Sequence, residues 1–532
     1  MATHQHDVIV IGSGIGGMTA ALACAQRGRD VVILEAAKQF GGFINPFARK
    51  KFWFDTGIHY IGDCGEGQPL LRHFERLGLT EELKFRELNP DGFDRYVFPD
   101  YEVRMCKGAE RYEARLAKDF PHEAGGLKRF FSILREIDQV LGGVSKISGP
   151  MSIVRLLPRV PTLLKYYNST FAEILDELFT DIRLKAALAG PGGDIGLPPG
   201  KASGLIMFGV IAHFLRGAYF PVGGTKAVRD AYVNRLKAEG ATMKRNTPVA
   251  RILTENGRAV GVRTTKGDEY RAPVVISNAD AVPTFRDMLG MDELPKRLRA
   301  KVQRTEPSLG SLCAFVGTDL QPQDHGLDDA NIWHYPDYDI DALYQPALDG
   351  ELGSELPFFM TVPTLKDPSD SHAPAGKHTV ELITFAPWKP FTKWQNQPTL
   401  KRADDYKEMK AELGRKLIAR AEEHLPGLAT HMEVCEISTP LTNTSFANTP
   451  LGSIYGPAHT PEQIGLGRYR TSTHIDGLYL CGASVFGAGI ATCVSSGVAA
   501  GYAAMKNRVS LTGRVKQFAG QATKRARLAT SR

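Results

Sequence analysis

The chain has 532 residues, 43% of them hydrophobic and 23% charged, with a formal net charge of +7. This describes a soluble globular protein too long for one ordinary core, so two or more domains are expected. Seven cysteines are scattered without a C-x-x-C pair. That argues against a disulfide framework and against a zinc or other metal site, and points to a reducing compartment.

Met1 to His6 is polar, and the apolar run after it is too short for the core of a signal peptide, so none is expected. Asp7-Val8-Ile9-Val10-Ile11 reads as a buried strand and Gly12-Ser13-Gly14-Ile15-Gly16-Gly17 as a tight turn. Residues 18–27 then have helical composition, and Asp30-Val31-Val32-Ile33-Leu34 is a second buried strand that ends on Glu35. Gly12 permits the turn, Gly14 lets a pyrophosphate approach the backbone, and Gly17 lets the helix pack close to the strand. The helix N-terminus offers unpaired N–H groups and a positive dipole end to phosphates. Glu35 is placed to accept both hydroxyls of an adenosine ribose, and its carboxylate would repel a 2′-phosphate. The unit predicts an adenine dinucleotide and disfavours NADP.

Gly41-Gly42 punctuates the next loop, and residues 52–60 have strand character followed by a turn. Residues 70–174 are expected to be largely helical, broken by Pro121, Pro150, Pro158 and Pro161. Within them, residues 151–167 mix Ile153, Val154, Leu156, Leu157, Leu163 and Leu164 with Arg155, Arg159 and Lys165. That composition suits a segment lying on a membrane surface or a lid packed on its own domain. Residues 202–215 read as a buried helix, and another follows Pro221-Val222-Gly223-Gly224 as far as Ala238. Residues 249–254, 259–265 and 274–276 are expected to form a β-meander with turns at Asn256-Gly257 and Gly267-Asp268. Strand-like runs at 311–316, 358–362 and 379–383 precede a charged helix at 405–424. Residues 477–505 carry no charge, but their Gly and Ser content divides them into a strand, a Gly-rich turn and a small-residue helix, so they are read as core and not as a membrane span. The tail at 510–532 holds six Lys and Arg residues and no acid, and is expected to be disordered. It reads as a solvated end or as an anionic-membrane contact; with no aromatic beyond Phe518 among the charges, no nucleic-acid partner is expected.

Several stretches then narrow the dinucleotide to a flavin. Glu35 followed by Gly41-Gly42, and the distant Leu478-Tyr479-Leu480-Cys481-Gly482-Ala483-Ser484, resemble the two halves of a flavoprotein's FAD site. Gly487-Ala488-Gly489-Ile490 would open a helix whose amides face the flavin pyrimidine edge and stabilise a reduced, anionic ring. With Phe54-Asp55-Thr56-Gly57-Ile58-His59-Tyr60-Ile61-Gly62, residues 217–224 and Val275-Ile276-Ser277-Asn278-Ala279-Asp280, the chain resembles the FAD-dependent phytoene desaturase, carotenoid isomerase and retinol saturase superfamily over nearly its full length. The 55–62 motif is most similar to the retinol saturase (all-trans-retinol 13,14-reductase) branch. Gly482-Ala483-Ser484 departs from the Gly-Gln-Asp of saturases and looks more like bacterial desaturases.

The resemblance implies an α/β fold: a Rossmann-type FAD-binding domain of the glutathione reductase-like, amine oxidase and phytoene desaturase type, with a mixed α+β substrate domain and a helical lid. The FAD-binding domain would use residues 1–75, 217–295 and 441–509, the helical lid and substrate domain 76–216, and the substrate sheet and helix 296–440. FAD contacts are expected from Gly12, Ser13, Gly14, Gly17, Glu35, Lys38, Gly42, Phe43, His59, Val249, Gly482, Ala483, Gly489 and Ile490. His59 is the first candidate for moving a proton, because imidazole titrates near neutrality; its alternative duty is only to hydrogen-bond the FAD. Tyr219 is the second, with packing on the flavin or substrate as its alternative. His213 is read as a core or tunnel histidine. The expected activity is saturation or isomerisation of double bonds in a long isoprenoid or polyene, by a cytoplasmic protein peripherally associated with a membrane. One alternative is a desaturase using oxidised FAD, and another is a non-catalytic prenyl-lipid binder of the GDP-dissociation-inhibitor type. An amine oxidase is the weakest option, since nothing marks a covalent flavin or an amine cage. With one dinucleotide unit and FAD expected in it, no built-in NADPH site is visible, and the electron donor or acceptor goes unidentified.

Overall fold

The computed structural model describes residues 2–144, 160–355 and 357–506. Residues 151–159 of the amphiphilic segment, and the basic tail at 510–532, lie outside the described residues. Five short strands make a wholly parallel sheet in the order Thr242–Lys244, Val31–Leu34, Val8–Ile11, Val274–Ser277 and Leu478–Leu480. The three central strands are buried along their whole length, which is why they read as continuous apolar runs and not as alternating ones.

Helix Ile15–Ala25 lies against this sheet, and helix Ile490–Met505 packs on that helix. The second helix needs small residues for this. A Cβ at Gly497 would sit 2.4 Å from the Gly16 carbonyl oxygen, and one at Gly501 2.7 Å from Ala23 Cβ. The Gly-rich composition of 477–505 is therefore a close helix–helix contact in the core. Among the described residues no helix is long and apolar enough to cross a membrane.

The expected meander is corrected at its third strand. Val249–Glu255, Arg258–Thr264 and Glu269–Arg271 form the antiparallel part, with Thr3–Gln5 added in parallel at the edge. Val274–Ser277 instead enters the parallel sheet between Val8–Ile11 and Leu478–Leu480. Its apolar residues need cover on both faces: Val274 and Ile276 join the cluster with helices Ile15–Ala25 and Ile490–Met505, and Val275 the cluster with Ile252, Val262 and Tyr270 of the antiparallel strands and with Phe285.

A second sheet has seven strands: Met432–Ser438, Gly310–Thr318, His378–Ala386, Phe358–Thr361, Asn331–His334, Asp94–Val97 and Glu102–Met105. Neighbours run antiparallel except Asn331–His334 with Asp94–Val97. The last two strands, and Phe85–Glu87, fall within the stretch expected to be helical. Asp94–Val97 and Glu102–Met105 are more deeply buried at every second residue, the period of a strand and not of a helix. Helices Ala124–Val144, Phe171–Leu178 and Gly204–Leu215 then cover one aromatic core through Phe130, Phe171 and Phe208. Thr170 starts the second of these with a capping box, its hydroxyl accepting from the Glu173 N–H while Glu173 accepts from the Thr170 N–H at 2.9 Å. Of segment 151–167, Val160–Lys165 is helical with no buried residue and Leu164 is 67% exposed, whereas Tyr166 is buried.

Candidate active site

The phosphate loop is built as its residue types require. Gly12 leaves the first parallel strand at φ +85°, a conformation open to glycine, and Gly14 is the N-cap of helix Ile15–Ala25. No side chain caps that helix, and its first turn holds no acid, so its amides stay free for an anion. Gly17 allows the helix to close on the strand, because a Cβ there would lie 2.3 Å from the Gly12 carbonyl oxygen. At Gly14 the close neighbour is Asn278, whose Nδ2 would be 2.7 Å from an added Cβ. Asn278 also crowds Gly16, Gly17 and Gly482. It ties the two halves of the cradle together and is absent from the predicted contacts; its only signal is its place at the end of a buried strand.

Glu35 holds its carboxylate at the mouth of this loop. Its Oε2 accepts from the Ser13 amide at 2.7 Å and the Ser13 hydroxyl at 2.5 Å, and Oε1 accepts from the Ala37 amide at 2.8 Å. The Gly41 amide donates to the same Ser13 hydroxyl at 3.1 Å, and Gly42 lies over Gly14, whose Cα would be 3.4 Å from an added Cβ. The Phe43 carbonyl accepts from the Thr56 hydroxyl at 2.8 Å, joining this loop to the 55–62 motif. Val249 is half-buried and begins its strand just after the Thr247 amide binds the Glu35 carbonyl at 2.8 Å. Lys38 stands apart: its side chain is exposed, and its carbonyl accepts from Arg245.

The other half of the cradle is the N-terminus of helix Ile490–Met505. Gly489 is its N-cap at φ +90°, no side chain caps it, and an added Cβ would meet nothing within 4 Å. Ala488 does not present a free amide, since it donates to His459 Nε2 at 3.1 Å. The Ala483 carbonyl accepts from Arg468 at 2.6 Å, and the Gly482 amide donates to the Ser496 hydroxyl at 2.8 Å. Two uncapped helix N-termini, a ribose-placed carboxylate and a seam of glycines fit FAD: phosphates at one helix, flavin edge at the other.

Beside this cradle, the 55–62 motif runs against the seven-stranded sheet. His59 Nδ1 lies 2.9 Å from Glu381 Oε2, and Glu381 Oε1 accepts from the Asp55 amide at 2.7 Å. Glu381 is 0% exposed on a central strand, and burial pushes its carboxyl above the usual range, against the pull of His59. Buried Lys366 donates to the His59 carbonyl at 2.9 Å, to the Thr361 hydroxyl at 2.6 Å and to Asn331 Oδ1. Burial lowers its ammonium to about 8, opposed by Asp94, whose own carboxyl burial raises to about 6. Asp55 binds His372 Nε2 at 3.0 Å and the Thr225 amide at 2.9 Å, and His372 Nδ1 binds Asp367 at 2.9 Å. Burial alone would depress His372, but the two carboxylates hold it up at about 10. Glu381, Lys366, His372 and Asp94 were missed at the level of sequence.

Aromatic rings line the approach to His59. Phe359 lies 5.5 Å from it, and Tyr60 stacks on Phe214 at 4.3 Å while its hydroxyl donates to Asp194 at 2.9 Å. Trp333 meets Phe359 edge-on at 4.6 Å. Helix Gly204–Leu215 thus contributes Phe214 to this wall. Tyr219 does not join it: its hydroxyl donates to Glu87 at 3.4 Å, in a short sheet between Ile61–Gly62 and Phe85–Glu87. Tyr60 takes the place expected of Tyr219, for alternation along the chain turns Tyr219 toward the other core cluster. His213 is a satisfied core histidine, with Nδ1 on Asp63 at 2.7 Å and Nε2 accepting from the Gly62 amide at 3.0 Å.

Known proteins resemble this arrangement over almost its full length. The all-trans-retinol 13,14-reductase of Danio rerio is 28% identical over 534 residues, spanning 95% of this chain and 87% of that protein. The chloroplastic prolycopene isomerase 1 of an Oncidium hybrid cultivar is 28% identical over 515 residues, spanning 93% and 83%. The crystal structure of an oxidoreductase from Methanosarcina mazei superposes with a TM-score of 0.61 at 17% identity, covering 94% of this chain and all of that one. Residues 15–504 match the model of the flavin-containing amine oxidoreductases. With a cradle that fits FAD and a family match across nearly the whole chain, this protein belongs to the flavin-containing amine oxidoreductase family and uses FAD.

Proposed function

We propose that the protein saturates or isomerises carbon–carbon double bonds of a long polyene, retinoid- or carotenoid-like in chemistry. One observation carries the reading: a histidine backed by a buried carboxylate, set among aromatic rings beside the FAD cradle. The two relatives named for retinol and prolycopene support a conjugated isoprenoid as the substrate class. FAD, when bound, supplies hydride exchange.

The chain's own residues supply the rest. Saturation adds one hydride and one proton to the double bond, and His59 is the group placed to deliver the proton. Glu381 and His59 share a proton: ionised Glu381 accepts from Nδ1–H, and protonated Glu381 donates to Nδ1. Either way Nε2 is the nitrogen left to face the substrate. Lys366 fixes the His59 backbone through its carbonyl, so the imidazole is held at both ends. The aromatic wall excludes water and aligns the polyene by stacking. Gly12, Ser13, Gly14, Gly17, Glu35 and Gly42 hold the adenosine and phosphates, and Gly482, Ala483, Gly489 and Ile490 border the flavin.

Delivery from a membrane surface belongs to the same reading. Leu164 is 67% exposed and Leu466 80% exposed, and the Leu466 amide donates to the Tyr167 hydroxyl at 2.9 Å while the Tyr167 amide donates to the Leu164 carbonyl, so the two leucines flank one tyrosine. This supports peripheral association of a cytoplasmic protein, tested by flotation with liposomes.

The activity test is anaerobic mixing of the holoprotein with all-trans-retinol and with a cis-carotene, before and after reduction of the flavin. Reaction only after pre-reduction is expected. A polyene that bleaches the oxidised flavin would instead make the protein a desaturase, and no reaction in either state would overturn the proposal.

A further inference from the structure

Arg468 is a buried cation that makes no direct ion pair among the described residues. It is 4% exposed, and among the described residues no carboxylate oxygen lies within 4.0 Å of its nitrogens. Its partners are neutral acceptors: the Pro457 carbonyl at 2.9 Å, the Ala483 carbonyl at 2.6 Å and His459 Nε2 at 3.4 Å. Among the described residues its Nε has no hydrogen-bond partner. His459, 2% exposed, accepts from the Ala488 amide through the same Nε2, so its proton sits on Nδ1, which is also unpartnered. Burial and Arg468 hold this imidazole well below its usual range, so it stays neutral and leaves the arginine charge unscreened. The charge of Asp280 acts on Arg468 without contact, and the Asp280 oxygens accept from the Val282 amide at 2.9 Å and the Ser484 hydroxyl at 3.2 Å.

A buried charge without a direct ion pair is expensive to maintain, and this one sits where Ala483 and Ala488 begin the second half of the cradle. We propose that Arg468, acting through the Ala483 carbonyl and His459, is a positioning residue that tunes the flavin toward its reduced, anionic form. The proposal rests on FAD lying along residues 482–490. It adds to the uncapped N-terminus of Ile490–Met505 a full positive charge behind it, and the two fields reinforce each other.

The test needs no substrate. Sulfite adds to oxidised flavin through its sulfur lone pair, forming one S–N bond and leaving the displaced electron pair as negative charge on the pyrimidine side; nothing else is consumed. Sulfite affinity and the two-electron midpoint potential would be measured on FAD-loaded parent, Arg468→Met and Arg468→Lys. Arg468→Met is expected to weaken sulfite binding about tenfold and to lower the potential by about 30 mV, the equivalent of tenfold for two electrons. Arg468→Lys, which keeps the charge, should stay within about threefold of the parent. Parental sulfite affinity in a flavin-loaded Arg468→Met overturns the proposal, as does an Arg468→Lys loss equal to that of Arg468→Met. Should Arg468→Met not fold, Asp280→Asn decides: removing that acid is expected to tighten sulfite several-fold, and an unchanged affinity overturns the proposal. A parent protein without flavin absorbance would instead overturn the FAD reading itself.

Discussion

Replacing Glu381 with Gln separates what the buried carboxylate does for His59 from what it does for the fold. The amide keeps the shape of the carboxylate, and its oxygen can still accept from the Asp55 amide at the 2.7 Å position. Its NH2 then faces His59 Nδ1, which must turn from donor to acceptor across the 2.9 Å contact. The ring proton moves to Nε2, so the substrate-side nitrogen loses its lone pair and the imidazolium loses its counter-charge. Positioned acid–base groups contribute about 10²–10⁴-fold, and kcat is expected to fall within that range with KM little changed. Stability should respond differently. The charge-assisted bond is worth about 1.5–3 kcal/mol, but an ionised carboxylate in this setting carries a penalty of several kcal/mol, so the two nearly offset. The sign of the pH effect follows from the raised pKa. The folded state holds the Glu381 proton more tightly than the unfolded one, a contribution complete below the usual 4.5 and lost as pH rises through the folded pKa. Glu381→Gln removes that loss, so the variant should melt at or above the parent near neutral pH while turning over far more slowly. Steady-state rates across pH, FAD content and melting curves of both proteins check this. Unchanged kcat and pH profile in a flavin-loaded Glu381→Gln would refute the reasoning, and so would activity lost only in step with flavin or fold.

Three further outcomes follow from the same geometry. Gly17→Ala places a methyl 2.3 Å from the Gly12 carbonyl oxygen and 2.9 Å from Asn278 Cβ. The backbone cannot yield there cheaply, so a loss of about 1–3 kcal/mol and poor flavin retention are expected, read by melting and by flavin absorbance of the purified protein. Glu35→Ala deprives the Ser13 amide and hydroxyl of the one oxygen they share; FAD affinity should weaken by about 10–10²-fold in equilibrium binding, the scale of one or two charge-assisted bonds. His372→Gln breaks a buried pair with Asp55 and Asp367 and should cost about 3–5 kcal/mol at neutral pH. His372 is raised to about 10, so its contribution is complete below the usual 6.5 and is lost as pH climbs through about 10. Parent melting temperatures should fall over that window, whereas those of His372→Gln should start lower and stay flatter.

What could be read from the chain depended on how local its physics is. The glycine turn and Glu35 were legible because each requirement falls on a fixed position within one strand–turn–helix–strand unit. Four of the five parallel strands were legible as buried runs, the first two as one unit, whereas the half-exposed edge strand Thr242–Lys244 was not. Val274–Ser277 looked like the next strand of the meander because it follows one directly, and nothing local reveals that it pairs with Val8–Ile11 instead. Asp94–Val97 and Glu102–Met105 were hidden among helices, since each is four residues long; they pair with each other, and only Asp94–Val97 joins the rest of the sheet, across the chain at Asn331–His334. His59 was visible within a motif, but its partner Glu381 is 322 residues away. The available signal was a carboxylate inside a run otherwise fit for a buried strand, a residue almost never buried without a partner. Tyr219 stood out because it adjoins the Pro221-Val222-Gly223-Gly224 turn, and only the strand pairing reveals that it and Tyr60 turn to different core clusters.

The buried charges then divide in a way that bears on the chemistry. Around the 55–62 motif, Asp55 and Asp367 bind His372, Glu381 binds His59, and the charge of Asp94 acts on Lys366. Burial moves the Asp94 carboxyl up to about 6 and the Lys366 ammonium down to about 8. By the cradle at 482–490 Arg468 hydrogen-bonds only carbonyls and a neutral imidazole, while the charge of Asp280 acts on it without contact. Paired acids and bases suit groups that gain and lose protons, because neither state is stranded. A cation with no direct ion pair suits a site where negative charge arrives with the electrons. The proposed saturation asks for both: a proton moved at His59 and a stabilised reduced ring along residues 482–490.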